Sequence, residues 1–202
     1  MQGAIIPRLD KIIRLSSFRG RNTSIKLEDG NLSFDGTTIS LSEIREVKAA
    51  IEPIELDMYV IGSKYCIVLR SETNSLEITF RCFFSIHKKY FNALFNEIIN
   101  SFWDATVGRL LDESIEVLKR GDTFSIGKCT VSRTGVSFNS NFILWDDLSY
   151  QRNYNKLTLN SKSSKEVWTN LFYNEEFNVY LLLGLLEWIY KEGGLSELSS
   201  FA

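Results

Sequence analysis

An internal repeat is the feature that most restricts how this chain can fold. The segment 30–47 aligns without a gap on the segment 134–151, which lies 104 positions later. The aligned pairs are apolar or acidic in both copies: Phe34 with Phe138, Leu41 with Trp145, Glu43 with Asp147 and Ile44 with Leu148. Because a repeated pattern is the signature of a repeated structural unit, we expect two similar domains.

Short sequence signals indicate what each copy contains. Apolar and polar residues alternate around Asp29-Gly30 and Asp35-Gly36, a dipeptide that is typical of tight turns in antiparallel hairpins. In the second copy the apolar phase changes at Gly127, and this predicts a β-bulge. We therefore expect an antiparallel meander in each half.

One helix follows the strands in each half. Apolar residues recur with helical spacing from Tyr90 to Trp103, and the same phase continues until Gly121. This pattern predicts either one long helix between the two repeats or two helices with a kink near Asp104. In the second half, the segment 177–190 is apolar around nearly its whole circumference. Such a helix must be buried on more than one side, by the other repeat or by a partner chain, and the second option predicts a homodimer through this helix.

The second half carries motifs that resemble a known family. The stretches 120–127, 130–136 and 144–148, followed by the apolar helix, are similar to a bacterial family of unknown function built from paired pleckstrin-homology-like repeats. The first copy departs from this pattern in having Leu41 where the second has Trp145. The second copy lacks the long connection present at 48–64.

The resemblance implies an α+β fold of two tandem pleckstrin-homology-like (PH-like) domains. Each domain is a curled antiparallel sheet or partial barrel capped by a C-terminal helix, and a long helix links the two. The expected boundaries are a leader at 1–18, the first repeat at 19–104, a connecting helix at 105–119 and the second repeat at 120–202. The family has no assigned catalytic residues, so the resemblance implies a binding role only.

The composition leaves little room for catalytic chemistry. His87 is the single histidine, which removes most metal and acid/base chemistry, and it is expected to be an exposed residue at a helix start. The adjacent acidic pairs are explained by a turn, a strand end and a helix first turn: Glu28-Asp29, Asp146-Asp147 and Glu175-Glu176. We therefore predict a protein that is not an enzyme and has no catalytic residue, metal site or cofactor.

The cysteines and the apolar runs bear on the compartment. Cys66, Cys82 and Cys129 are odd in number and lie in apolar, strand-like stretches, which is typical of reduced cytosolic thiols in a core; a reactive thiol is the alternative. The first residues do not resemble a secretory signal, and the apolar runs are too short to span a membrane. These features predict a cytoplasmic protein.

The amino-terminal segment is basic although the net charge of the chain is −2. Its first 26 residues hold six basic side chains against Asp10: Arg8, Lys11, Arg14, Arg19, Arg21 and Lys26. The apolar residues among them suit a short amphipathic helix: Leu9, Ile12, Ile13 and Leu15. Such a helix either lies on an anionic membrane or packs on its own domain. In the first case the candidate contacts are Arg8, Lys11, Arg14, Arg19 and Arg21.

Two kinds of partner compete in the functional prediction. Lipid-binding PH-like domains hold phosphates near the first hairpin turn, which we assign to Glu28–Asn31, and an acidic turn repels phosphate. A protein partner needs only an exposed sheet edge or apolar surface. We therefore expect a cytosolic protein-interaction or scaffold module, with peripheral membrane binding through the leader as the alternative. Nucleic acid is not expected, because the net charge is negative and no basic stripe is interleaved with aromatics.

Overall fold

Seven antiparallel strands and a helix form the described part of the first of two units, Met1–Arg109 and Leu110–Ala202. The computed structural model describes residues 8–18 and 20–200. A four-stranded sheet contains, in spatial order, β1 (Leu9–Arg14), β2 (Asn22–Glu28), β3 (Asn31–Phe34) and β4 (Thr37–Ser40). A three-stranded sheet contains β5 (Glu46–Leu56), β6 (Tyr59–Arg70) and β7 (Ser75–Phe83), and α1 (Lys88–Trp103) follows.

The second unit has the same order of sheets. Its four-stranded sheet contains β8 (Phe124–Ile126), β9 (Cys129–Val131), β10 (Gly135–Phe138) and β11 (Asn141–Leu144). Its three-stranded sheet contains β12 (Leu148–Arg152), β13 (Lys156–Ser161) and β14 (Trp168–Phe172). The helices are α2 (Arg109–Lys119), which precedes these strands, and α3 (Val179–Lys191) and α4 (Gly194–Ser199), which follow them. The fold is therefore α+β, as predicted, and in neither unit do the described strands close into a barrel.

The aligned segments of the two halves have the same strand register. Leu32 lies opposite Leu27 in β2 and Ile39 in β4. Val136, 104 positions after Leu32, lies opposite Val131 and Ile143. All six of these side chains are buried, so the apolar pattern shared by the two segments forms the core face of a meander in each unit.

The prediction of an amphipathic helix in the leader is wrong, because residues 9–14 form strand β1. This strand pairs with β2, with Leu9 opposite Leu27, and it buries Leu9 and Ile13 while Ile12 is 77% exposed. A spacing of four places Leu9 and Ile13 on one face of either a helix or a strand. Pairing with β2 selects the strand, because the main-chain N–H and C=O groups of β1 then form hydrogen bonds with β2.

Strand β1 also changes how the two halves correspond. It pairs with β2 as β8 pairs with β9, where Phe124 lies opposite Val131. Strand β1 is therefore the counterpart of β8, and each is the first strand of its four-stranded sheet. The turn at 28–31 joins the second and third strands, so it is not the first hairpin turn.

The tight turns follow the sequence signals at two places and depart from them at a third. Asp29-Gly30 and Asp35-Gly36 have positive φ at all four residues, as predicted for hairpin turns. Gly127 does not form a bulge. It lies in a two-residue turn between β8 and β9, with Ile126 opposite Cys129 and a φ of 54° at the glycine. The change of apolar phase reflects a reversal of the chain.

The helical stripe predicted after residue 90 is confirmed by α1, and helical conformation continues to Lys119. The turn at Asp104–Gly108 is π-helical, which is where the sequence allowed a kink. Gly121, with a φ of 86°, follows the last turn of α2. Across the part of the chain that the structure describes, no helix is long and apolar enough to cross a membrane.

The apolar helix α3 is covered without a partner chain. Seven of its side chains are buried in the single chain: Val179, Leu181, Leu182, Leu183, Leu185, Leu186 and Ile189. A Cβ at Gly184 would lie 3.4 Å from Leu111 of α2, and a Cβ at Gly194 of α4 would lie 2.6 Å from the Trp188 ring. The apolar residues that motivated a homodimer through this helix are thus largely buried within the single chain, and the homodimer stays a prediction.

Candidate functional site

A two-stranded projection extends from the first unit. The strand β7 pairs with β6 only from Gly62, which lies opposite Phe83. Beyond that point, residues 55–60 pair only with each other, with Leu56 opposite Tyr59, and the register shifts between Ile54 and Glu55. We call residues 55–60 the hairpin tip. Among the residues that the structure describes, no third strand pairs with it.

Four apolar side chains of the hairpin tip are exposed. Leu56 is 61% exposed, Met58 94%, Tyr59 73% and Val60 66%. Asp57, with a φ of 54°, makes the turn between them. Single exposed apolar residues are common on proteins, whereas several exposed on one short projection favour an interaction surface. Of these four, Leu56 and Tyr59 are a cross-strand pair on one face of the hairpin, and Val60, opposite Glu55, is on the other.

Two neighbouring segments add aromatic side chains at the same end of the unit. In the turn between β7 and α1, the Phe84 amide donates to the Ile61 carbonyl at 2.8 Å, and the Phe84 side chain is 66% exposed. In the connection from β1 to β2, the Ser17 hydroxyl accepts from the Phe83 amide at 2.8 Å, which places Phe18, 64% exposed, beside that turn. The apolar end is our name for six side chains: Phe18, Leu56, Met58, Tyr59, Val60 and Phe84.

The backbone of the turn at Phe84 is strained. Phe84, Ser85 and His87 have φ values of 50°, 58° and 60°, in the left-handed region. For residues other than glycine this conformation costs about 1–2 kcal/mol each, and such strain concentrates at functional sites. A bulky aromatic in this conformation, with its side chain in solvent, contributes little to the core.

The apolar end carries opposite charges on its two sides. The exposed carboxylates of Glu55 and Asp57 alternate with Leu56 and Met58 along the chain, and neither makes an ion pair with any residue that the structure describes. On the side of α1, three exposed basic residues follow Phe84: His87, Lys88 and Lys89. The surface is thus acidic at the hairpin tip and basic where α1 begins.

The predicted basic contacts of the leader do not form one free positive face. Three of them pair with acidic side chains: Arg8 with Glu28 at 2.8 Å, Lys11 with Glu97 at 2.5 Å, and Arg21 with Asp35. Arg14 is exposed on β1, and Arg19 lies outside the described residues. Pairing with Lys26 lowers the pKa of the Glu28 carboxyl, which keeps this carboxylate ionised beside the basic side chains.

No family model, curated protein or solved structure matches this chain. The apolar end is therefore the observation on which a functional proposal rests.

The residues that the sequence offered as candidates for chemistry lie at the start of a helix and in a hydrogen-bonded loop. His87 is exposed at the start of α1. The Asp147 carboxylate accepts from the Ser161 hydroxyl at 2.6 Å and the Ser163 amide at 2.8 Å, which lowers its pKa and fixes the loop after β13. Among the described residues, no three His, Cys, Asp or Glu side chains are grouped as a metal ion requires.

The acidic residue Glu176 lies against a turn. Its carboxylate is within 3.6 Å of the Lys128 ammonium, and it approaches Gly127 so closely that a Cβ there would overlap it. Burial raises the pKa of the Glu176 carboxyl. This contact holds the β8–β9 turn against the segment that leads into α3.

The three cysteines are buried and free, as the core prediction requires. Burial raises the pKa of the Cys66 and Cys82 thiols, and it raises the pKa of Cys129 to about 12. Because the thiolate is the reactive form, these environments disfavour the alternative of a reactive thiol.

Sequence reasoning missed the apolar end, although a signal was present. The connection at 48–64 is longer than its counterpart, and its turn reads Leu-Asp-Met-Tyr-Val. The corresponding turn of the second unit is Asn153-Tyr154-Asn155. The first copy thus has four apolar residues around its turn and the second has Tyr154 alone, a difference that indicates a surface specific to the first unit.

Proposed function

We propose that this protein is a non-enzymatic binding module of the cytosol that holds a protein partner against the apolar end of its first unit. The observation that carries the proposal is the hairpin tip, whose apolar side chains are 61–94% exposed. Burial of an exposed apolar side chain stabilises a complex by about 1.5–3 kcal/mol. Four such side chains on one projection supply the apolar centre that protein interfaces require.

The architecture supports a binding role. In each unit a four-stranded sheet, a three-stranded sheet and a helix follow one another, which is the order expected of tandem PH-like domains. Under this proposal the fold is a rigid support and the hairpin tip is a specialisation of the first unit. The second unit has a short turn at the corresponding place, with Tyr154 as its exposed aromatic residue.

The charges favour a protein over a membrane. An anionic membrane would meet the carboxylates of Glu55 and Asp57 at the tip, and like charges repel. The basic side chains on which membrane binding through the leader depends include Arg8, Lys11 and Arg21, which pair with carboxylates of the same unit.

Site-specific photo-cross-linking tests this proposal. A photoreactive side chain replaces Met58 in the full chain, expressed in the cells that naturally make it, and the matched control carries the same group at Tyr154, which is also highly exposed. We expect a discrete protein adduct from position 58, none from position 154, and loss of the adduct when Leu56 and Val60 are both changed to Ser.

A different pattern of adducts would contradict the proposal. Equal adducts at both positions, or an adduct at position 58 that survives the two serine changes, would show that the apolar end is not the contact. Sedimentation of the purified chain with anionic vesicles, without a protein adduct, would favour the membrane alternative.

A further inference from the structure

The distribution of charge on the apolar end is self-complementary, and from it we infer that the partner held there is a second copy of this chain. This inference rests on the proposed function and names the occupant of the same surface. The hairpin tip is acidic through Glu55 and Asp57, and the start of α1 is basic through Lys88 and Lys89. The exposed apolar side chains Val60 and Phe84 lie between these two sides.

A two-fold axis through the apolar centre brings the opposite charges together. In such a dimer the same patch is used by both copies, so that residue i contacts residue j and j contacts i. With the axis perpendicular to the line from acidic tip to basic helix start, the tip of each copy meets α1 of the other. Apolar side chains then meet apolar side chains at the centre.

In the single chain, the described residues place no ion-pair partner beside the acidic tip or the basic start of α1, and this dimer brings the two together. The positive end of a helix dipole is its amino terminus, yet the first turn of α1 carries Lys88 and Lys89 and no acidic residue. At the other side, Glu55 and Asp57 make no ion pair within the described part of the chain, and Lys64 of the same hairpin pairs with Glu52 at 3.2 Å. Carboxylates placed against the start of α1 offset its two lysines and its dipole together.

A membrane or a partner of a single charge does not fit both sides. An anionic partner is repelled by the tip, and a cationic partner is repelled by the start of α1. A second copy supplies both signs at the required separation, because the separation is the same in both molecules.

Charge reversal with rescue tests this inference on the purified full chain. We expect sedimentation equilibrium to show a dimer of the wild type. The variants Glu55→Lys/Asp57→Lys and Lys88→Glu/Lys89→Glu should each raise the dimer Kd about tenfold or more. An equimolar mixture of the two variants should form a heterodimer with an affinity near that of the wild type, a result that misfolding of either variant cannot produce.

A matched control and the salt dependence complete the test. Glu166→Lys/Glu175→Lys reverses two exposed acidic residues of the second unit and should leave the dimer Kd unchanged. Raising the salt from about 0.1 M to about 1 M shortens the screening length from roughly 10 Å to 3 Å and should weaken the dimer.

The inference and the proposed function fail in distinguishable ways. A wild type that stays monomeric at about 100 µM, a concentration at which a dimer of micromolar Kd is formed, overturns the inference. So does a dimer that both charge-reversed variants keep unchanged. An adduct from position 58 with a different protein would still support the proposed function, whereas the absence of any adduct would contradict both.

Discussion

Arg109 and Tyr190 donate hydrogen bonds to carbonyl groups at equivalent places in the two units. Each side chain bridges the two ends of a short 3-10 turn that joins the two sheets of its unit, Leu41–Glu43 in the first unit and Trp145–Asp147 in the second. The bonds run from Arg109 to Leu41 (3.3 Å) and Ile44 (2.6 Å), and from Tyr190 to Trp145 (2.5 Å) and Leu148 (3.3 Å). A guanidinium in the first unit and a phenol in the second thus donate hydrogen bonds to equivalent carbonyl groups.

Removal of either donor should destabilise the unit that contains it. Hydrogen bonds from charged groups contribute about 1.5–3 kcal/mol and neutral ones about 1 kcal/mol, so Arg109→Met should lower the free energy of unfolding more than Tyr190→Phe. Urea unfolding followed by circular dichroism measures both changes. Tyr154→Phe, at a 78% exposed position, is the control, and a loss as large as that of Tyr190→Phe would contradict the assignment.

Phe84→Gly should raise the free energy of unfolding by about 1 kcal/mol while it weakens binding. Glycine adopts the φ of 50° at this position without the penalty that a larger residue carries, and the side chain lost is exposed. Thermal unfolding measures the first effect, and the yield of the adduct from position 58 measures the second. The control Ile86→Gly, at an exposed position without positive φ, should lower stability by about 0.5–1 kcal/mol. A destabilised Phe84→Gly variant would show that Phe84 has a structural role.

Trp145→Phe should destabilise the protein by about 1–3 kcal/mol. The indole of Trp145 is 2% exposed and donates to the Arg133 carbonyl at 2.8 Å, so phenylalanine leaves that carbonyl without its donor. Trp168→Phe is the matched control, since Trp168 is 55% exposed, and it should change stability by less than about 0.5 kcal/mol. Chemical unfolding of the two variants under identical conditions decides the comparison.

Alkaline pH should destabilise the second unit through its buried tyrosines. Burial raises the pKa of Tyr180 and of Tyr190 to about 12, from a usual value of 10.0. Above pH 10 the unfolded chain loses these protons while the folded chain keeps them, so the free energy of unfolding falls as pH rises from 10 to 12. Tyr190→Phe should make this fall shallower than in the wild type, whereas Tyr154→Phe should not. Equal slopes in all three proteins, measured by urea unfolding at several pH values, would contradict this account.

Local chemistry determined much of the fold from the sequence alone. Asp29-Gly30 and Asp35-Gly36 predict hairpin turns because few other residues tolerate positive φ, and the structure has turns there. The apolar spacing after residue 90 predicts α1, since a helix presents those positions on one face. The buried cysteines also followed from their apolar surroundings.

Tertiary structure decided the features in which one local pattern fits two conformations. Leu9 and Ile13 suit one face of a helix or of a strand, and only pairing with β2 selects the strand. Gly127 suits a bulge or a turn, and only the pairing of β8 with β9 selects the turn. The exposure of Met58 likewise depends on where β7 stops pairing with β6, because burial is set by neighbours that are distant in the sequence.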